Sequence, residues 1–341
     1  MNPVAHPPLV SVIVPNYNYA TVLRLCLRAL TEQTHPALEV IVVDDCSTDD
    51  SVAVARSFPD VTVLRTPTNS GPSTARNIGA EAARGEILMF VDSDVALAPD
   101  AVATALAVLD SDPRIGAVCG NYDTVPLVRD SLVKDYRNLY RHWYFKIAEG
   151  SITGFLSTAI LAIPARIWAE VGPWNPRLDQ SEGADVGERL TDRYEVRMTS
   201  SVIGRHDDDA NLRIAVYKVF TRTRVHIPFF LNRRRVVGVV TSAESGTGLA
   251  SWLAAATAPL PLLFGAAWAV LPALLLLVWL ASDGRMYRYV WRIRGLPYTA
   301  FFAAMHLLVN LTIGVGVAAG LVQWACSRRF RRLYDQEAVT A

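Results

Sequence analysis

The chain has 341 residues, 33 Lys+Arg against 32 Asp+Glu, and a formal net charge of +1. That balance gives no electrostatic footprint for nucleic-acid binding. The four cysteines, Cys26, Cys46, Cys119 and Cys326, form no Cys-x-x-Cys pair, which argues against a disulfide or zinc framework. Met1 to Pro8 has neither a charged start nor an apolar run, so no signal peptide is expected and the first part of the chain is placed in the cytoplasm.

In chain order, Leu9 to Val14 predicts a strand running into Pro15-Asn-Tyr-Asn18, and Ala20 to Thr31 a helix. Leu38 to Val43 predicts a second strand that ends in Asp44-Asp-Cys-Ser-Thr-Asp49, with a capped helix over Asp50 to Ser57 and a strand at Val61 to Leu64. Gly71-Pro72 breaks the chain before a helix that carries Arg76 in its first turns, where a helix N-terminus favours anions. Ile87 to Val91 is a short, continuous apolar run, the mark of a buried parallel strand, and Asp92-Ser93-Asp94 follows it. Strands alternating with helices imply an α/β fold with a parallel sheet. Tyr17, Asp45, Asp92 and Asp94 then share the C-terminal edge of that sheet, where such sheets bind ligands.

The chemistry of these residue types fits a nucleotide. Tyr17 offers a ring for a base and Asp45 an acceptor for a base N–H. Asp92 can reach ribose hydroxyls, and Asp94 a hard cation shared with a diphosphate. Each residue also has a plain reading, since Asp caps helices and Arg76 could be an ordinary surface residue. No G-x-G-x-x-G or Walker loop competes.

Val10-Ser-Val-Ile-Val-Pro-Asn-Tyr-Asn18, Val40-Ile-Val-Val-Asp-Asp-Cys-Ser-Thr-Asp49, Gly71-Pro-Ser-Thr-Ala-Arg-Asn-Ile-Gly79 and Gly85-Glu-Ile-Leu-Met-Phe-Val-Asp-Ser-Asp94 together resemble glycosyltransferase family 2. These are inverting enzymes with the GT-A fold. The resemblance implies a Rossmann-like, mostly parallel sheet, a nucleotide-diphosphate sugar donor (a UDP-sugar first among them) and a Mg²⁺ or Mn²⁺ ion. It assigns Pro15, Tyr17, Asp45 and Arg76 to the nucleotide, Asp92 to ribose and diphosphate, and Asp94 to the metal.

The acceptor half departs from the family pattern. Thr153 to Ile163 is expected as a strand, followed by Val171-Gly-Pro-Trp-Asn175. In Ser181-Glu-Gly-Ala-Asp185, Gly183 stands where such enzymes usually carry the Asp that acts as general base. Either Glu182 or Asp185 replaces it, or the acceptor is a lipid phosphate that is already ionised and needs no base. The two carboxylates could also be helix-start residues that favour the macrodipole. Loss of activity, leaving a membrane-anchored nucleotide-sugar binding or scaffold protein, is the further alternative. His206 occupies a place where membrane-bound relatives often have a His near metal and diphosphate; they often follow it with Lys, where this chain has Asp208. Asp123 to Glu149 carries Arg137 and Arg141 among aromatic residues and reads as an ordinary packed helix, with a helix on the acceptor side near the membrane as the alternative, while Ala210 to Arg224 suits an amphipathic helix at a membrane surface.

Leu249 to Ala281 and Tyr298 to Ala325 contain no Asp, Glu, Lys or Arg. About 20 apolar residues span a bilayer. Pro259, Pro261 and Pro272 offer break points, so two or three transmembrane or re-entrant segments (about 249–265, 267–281 and 298–325) are expected, with one long tilted span across the first two as the alternative. Between them an interfacial helix, about 283–296, carries Arg285, Arg288, Arg292 and Arg294. The expected organisation is a GT-A domain over 1–235, with donor half 1–120 and acceptor half 121–235, then an α-helical transmembrane region over 236–341. The expected protein is integral to the cytoplasmic membrane with its catalytic domain facing the cytoplasm. Its acceptor is a polyprenyl phosphate or lipid-linked saccharide, as in cell-envelope polysaccharide or glycolipid synthesis.

Overall fold

The computed structural model describes residues 6–152, 156–178, 181–232 and 247–334. Two compact units divide the chain, the first running to Asp208 and the second beginning at Asp209.

The first unit opens with β1 Val10–Asn16, α1 Ala20–Thr31, β2 Leu38–Asp44, α2 Ser51–Arg56, β3 Val61–Arg65, α3 Pro72–Ala82 and β4 Ile87–Val91. β1 lies parallel to β2 and β4, and β2 parallel to β3. All of β1 is buried, which is why its sequence is a continuous apolar run instead of an alternation. The side-chain period of two still sorts it. Val12 and Val14 enter one core with Leu23, Leu27 and Met89, while Ile13 enters the other with Phe90, Leu161 and Trp174. α3 packs tightly on β1 because Gly79 has no side chain: a Cβ there would sit 2.4 Å from Ile13 Cγ2. The β1–β2 register pairs Asn16 with Asp44, so the chain leaves both strands at one level.

The unit continues with β5 Val95–Leu97, α4 Ala101–Asp110, β6 Ile115–Tyr122, α5 Leu132–Ile147, β7 Gly150–Ile152, β8 Ile160–Pro164, α6 Ala165–Val171, α7 Glu182–Thr191 and β9 Glu195–His206. Among the described residues the strands form one sheet in the order β3-β2-β1-β4-β8-β6-β9-β5, with β7 also on β9. The sheet is mixed, which corrects the expectation of a mostly parallel one. β8 is antiparallel to β4 and β6, and β5 and β7 are antiparallel to β9; in this half only β6–β9 is parallel. A parallel neighbour needs a crossover of about a dozen residues, and the short turn Asp92–Asp94 supplies none, so β5 leaves β4 for β9. Of the expected strand Thr153 to Ile163, residues 153–155 lie outside the described residues, and the strand present is β8.

The second unit holds α8 Leu212–Asn232, α9 Thr247–Thr257, α10 Leu260–Phe264, a 3₁₀ turn Ala266–Ala269, α11 Val270–Ser282, α12 Gly284–Arg294, α13 Leu296–Cys326 and α14 Arg328–Arg331. The apolar run breaks at Pro259 and at Gly265, whose φ of 101° suits glycine, whereas Pro272 falls in the first turn of α11, where its missing N–H costs nothing. α13, of 31 residues, is the one described helix long and apolar enough to cross a membrane; Ala266–Ser282 with Gly284–Arg294 is a pair bent by 67°. The polar groups of α13 turn inward. His306 Nδ1 is 2.7 Å from Tyr287 Oη, and its Nε2 is 3.2 Å from Asn310 Nδ2. Gly316 and Gly320 let α8 approach closely, since an added Cβ would lie 3.0 Å from Phe220 O and 2.9 Å from Arg224 O respectively.

Candidate active site at the strand ends

The β1 and β2 exits are built as one polar knot. Asn16 Nδ2 donates to Asp44 Oδ1 and to Ser47 Oγ, each at 3.2 Å, and Ser47 N donates to Asp44 Oδ2. Asn18 and Cys46 adopt left-handed conformations, φ 57° and 62°. Asn18 Oδ1 accepts from Thr48 N at 2.8 Å, which ties the β1 exit to the β2 exit. Pro15 is buried in β1, and beyond it Tyr17 is 43% exposed, leaving its ring open to a flat partner. Asp45 is buried and already committed. Its carboxylate accepts from Thr66 Oγ1 at 2.7 Å, Ser70 N at 2.9 Å and Gly71 N at 2.7 Å, which pins the loop that enters α3.

Arg76 lies deep instead of at the surface. It is 3% exposed. Its Nη2 donates to Asp92 Oδ1 at 2.8 Å and to Thr158 Oγ1 at 3.2 Å, and its Nη1 donates to Glu182 Oε1 at 3.1 Å. The Trp174 ring lies 5.8 Å from the guanidinium carbon. Trp174 is fixed in turn by Asn77 of α3, which exchanges two hydrogen bonds with its backbone. Arg76 therefore joins the strand-end carboxylate Asp92 to the first residue of α7. The paired carboxylates more than offset burial and raise its pKa.

Glu182 has its second oxygen, Oε2, buried and without a hydrogen-bond partner among the described residues. Gly183 has a steric cause. A Cβ at this position would lie 2.2 Å from Leu156 O, and Leu156 N donates back to Gly183 O at 2.9 Å. No side chain fits where an Asp was expected. Asp185 is buried and bound by Arg189 Nη2 at 3.0 Å, one turn along the same helix.

Asp94 and His206 meet because β5 pairs antiparallel with β9, placing Val95 opposite His206. Asp94 Oδ1 is buried, accepts no hydrogen bond among the described residues, and lies 3.5 Å from His206 Nε2. Burial, with the charges of Asp92 and Asp208 added, pushes the Asp94 carboxyl well above the usual carboxylate range. Burial, with Arg141 added, pushes His206 down to about 4, so its ring is neutral near pH 7 and able to ligate a metal. Mg²⁺ and Mn²⁺ sites commonly use one or two carboxylates and leave the remaining positions to phosphate and water. One carboxylate oxygen without a donor beside one neutral imidazole fits that pattern. Among the described residues no group of three or more His, Cys, Asp or Glu forms a self-sufficient cage.

Behind His206 stands a cluster that the sequence did not single out. Arg137 Nε donates to Asp208 Oδ1 at 2.6 Å and Arg141 Nη1 lies 3.2 Å from Asp208 Oδ2. Arg137 and Arg141, spaced by four on α5, were the available signal, and their partner Asp208 was legible only as a departure from the expected Lys.

With this geometry in view, residues 11–159 match the family model described as Glycosyl transferase family 2. Two uncharacterized glycosyltransferases of Haemophilus influenzae are similar in sequence. One is 40% identical over 111 residues, 32% of this chain and 37% of the relative; the other is 34% identical over 151 residues, 41% of this chain and 60% of the relative. The chain thus spans less than two thirds of either. The mannosyltransferase PcManGT from Pyrobaculum calidifontis, solved with GDP-Man and Mn²⁺, shares the fold with a TM-score of 0.58 and 20% identity over 93% of this chain and 88% of that one. The likeness is one of fold.

Proposed function

We propose that this chain is an inverting, metal-assisted glycosyltransferase that moves a sugar from a nucleotide-diphosphate sugar to a membrane-associated acceptor. The observation that carries this reading is the donor-free buried oxygen of Asp94 beside His206, on the strand-end edge that also bears Asp92 and the exposed ring of Tyr17. Tyr17 stacks on the base, with Pro15 and Asp45 shaping the loop beneath it. Asp92, its geometry fixed by Arg76, receives ribose hydroxyls. Asp94 and His206 would hold Mg²⁺ or Mn²⁺, which would supply positive charge for a diphosphate leaving group. A UDP-sugar is the first donor to test, with a GDP-sugar next because the structurally similar mannosyltransferase holds GDP-Man.

For a hydroxyl acceptor, Glu182 is the better base of the two expected carboxylates. Its Oε2 accepts no hydrogen bond among the described residues, while Asp185 is held by Arg189. A polyprenyl phosphate acceptor is the second reading, favoured by the steric exclusion of any side chain at Gly183. The membrane part rests on α13 and on the exposed Leu262, Leu263, Phe264, Leu274, Leu277 and Val278, an apolar surface that water does not favour. α12 buries Met286 and Val290 and carries Arg285, Arg288, Arg292 and Arg294, the pattern of an interfacial helix on a cytoplasmic membrane face.

The test is a donor screen on detergent-solubilised protein with a panel of nucleotide-diphosphate sugars, Mn²⁺ or Mg²⁺, and polyprenyl phosphate or lipid-linked saccharide. Release of nucleoside diphosphate that depends on both metal and acceptor supports the reading. Donor binding without release under any acceptor sinks it in favour of a binding or scaffold protein.

A further inference from the structure

The Arg141 side chain is 22% exposed, whereas its companions Arg137 and Asp208 are 8% and 2% exposed. The guanidinium of Arg141 is fixed from two sides. Asp208 Oδ2 lies 3.2 Å from its Nη1, and the Tyr122 ring lies 5.7 Å from its central carbon. Tyr122 in turn packs against His206, with ring centroids 4.9 Å apart, and His206 Nδ1 is 3.9 Å from the same Asp208 oxygen. These contacts place a preoriented, partly open guanidinium on the same side-chain network as Asp94. Two guanidinium groups sharing one buried carboxylate is a costly arrangement. An arginine fixed in this way and partly exposed is suited to a phosphate oxyanion beside a metal-binding carboxylate.

We propose that Arg141, positioned by Asp208 and the Tyr122 ring, binds a phosphate group on the wall of the Asp94–His206 site. The inference rests on the nucleotide-sugar reading above. The phosphate comes from one of two sources with the same chemistry, the donor diphosphate or a phosphate monoester on the acceptor. Asp208 is then a positioning residue that acts through Arg141.

The test titrates nucleoside diphosphate, with Mn²⁺, and the matching phosphate-free nucleoside into wild type, Arg141→Gln and Arg141→Lys, and measures transfer to polyprenyl phosphate with each. Weakening of diphosphate binding by about tenfold or more in Arg141→Gln, with nucleoside binding kept and Arg141→Lys intermediate, supports the inference and assigns the donor. Unchanged diphosphate binding, with KM for polyprenyl phosphate raised about tenfold at constant kcat, supports it and assigns the acceptor. Wild-type values on both arms overturn it, as does equal weakening of nucleoside and diphosphate, which marks general disruption. If Arg141→Gln does not fold, by circular dichroism, Arg141→Lys decides alone, since loss of the fork should still weaken one arm. Wild type that binds no nucleotide fails the nucleotide-sugar reading itself, an outcome distinct from a nucleotide-binding wild type with an indifferent Arg141.

Discussion

Arg76 and Glu182 are 106 residues apart in the chain and meet at 3.1 Å, the Arg76 side chain 4% and the Glu182 side chain 10% exposed. The same guanidinium holds Asp92 at 2.8 Å. One buried cation therefore fixes two carboxylates that come from opposite halves of the domain, one proposed for the donor and one for the acceptor.

Removing that cation leaves two carboxylates facing each other without a partner. Arg76→Ala should cost about 3–5 kcal/mol, the usual range for breaking a buried pair from one side. Urea denaturation of the variant measures it. A loss under about 1 kcal/mol would match an exposed ion pair and contradict the buried clamp.

Gly183 should resist replacement. Gly183→Asp restores the expected carboxylate on paper, but its Cβ has to displace the Leu156 carbonyl, 2.2 Å away. Overpacking of this kind costs about 1–3 kcal/mol. The denaturation midpoint of Gly183→Asp should fall, and transfer activity should fall with it. A variant as stable as wild type and more active would show that the Leu156 segment yields.

Much of the fold from β1 to β4 was legible in the sequence. Continuous apolar runs marked β1, β2 and β4 because both faces of those strands are buried, and the strand-end positions of Tyr17, Asp45, Asp92 and Asp94 followed. Two things were hidden. The antiparallel entry of β8 and the β5–β9 pairing depend on long-range partners that no local period encodes. The inward turn of Arg76 was hidden for the same reason, since an Arg at a helix start reads as surface until Glu182 and Thr158 are brought to it. Gly183 looked like a missing catalytic group, whereas the structure shows a position without room for a side chain. In the second unit, absence of charge marked α13, but the breaks that shorten α9, α10 and α11 depend on Pro259 and Gly265 together.

Acid should weaken the β1–β2 edge through Glu39. Burial raises its pKa, but Ser11 Oγ donates to Oε1, and Arg84 donates its backbone N to Oε1 at 2.6 Å and its Nε to Oε2 at 2.9 Å; the net shift is downward. A carboxylate depressed in the folded state contributes stability that is present above its unfolded pKa of about 4.3 and is lost as pH falls through the folded value. The stability gap between wild type and Glu39→Gln, followed by thermal unfolding, should be full near neutrality and shrink as pH drops below about 4.3. A gap that widens in acid would contradict this sign.

Membrane attachment should survive harsh washing. Interfacial helices bound by charge are released by high salt and alkaline carbonate, whereas a spanning helix, the role proposed for α13, is not. The protein should stay in the carbonate-washed membrane pellet. Quantitative release into the supernatant would refute the spanning role of α13.

The central claim is that Asp94 and His206 form a metal-dependent diphosphate site. Isothermal titration of wild type and Asp94→Asn with nucleoside diphosphate, each with Mn²⁺ and with EDTA, tests it most directly. Wild type should bind more tightly with Mn²⁺ than with EDTA, and Asp94→Asn should lose that difference, a cost of about 3 kcal/mol. An Asp94→Asn protein that folds and keeps the wild-type Mn²⁺ dependence would contradict the account.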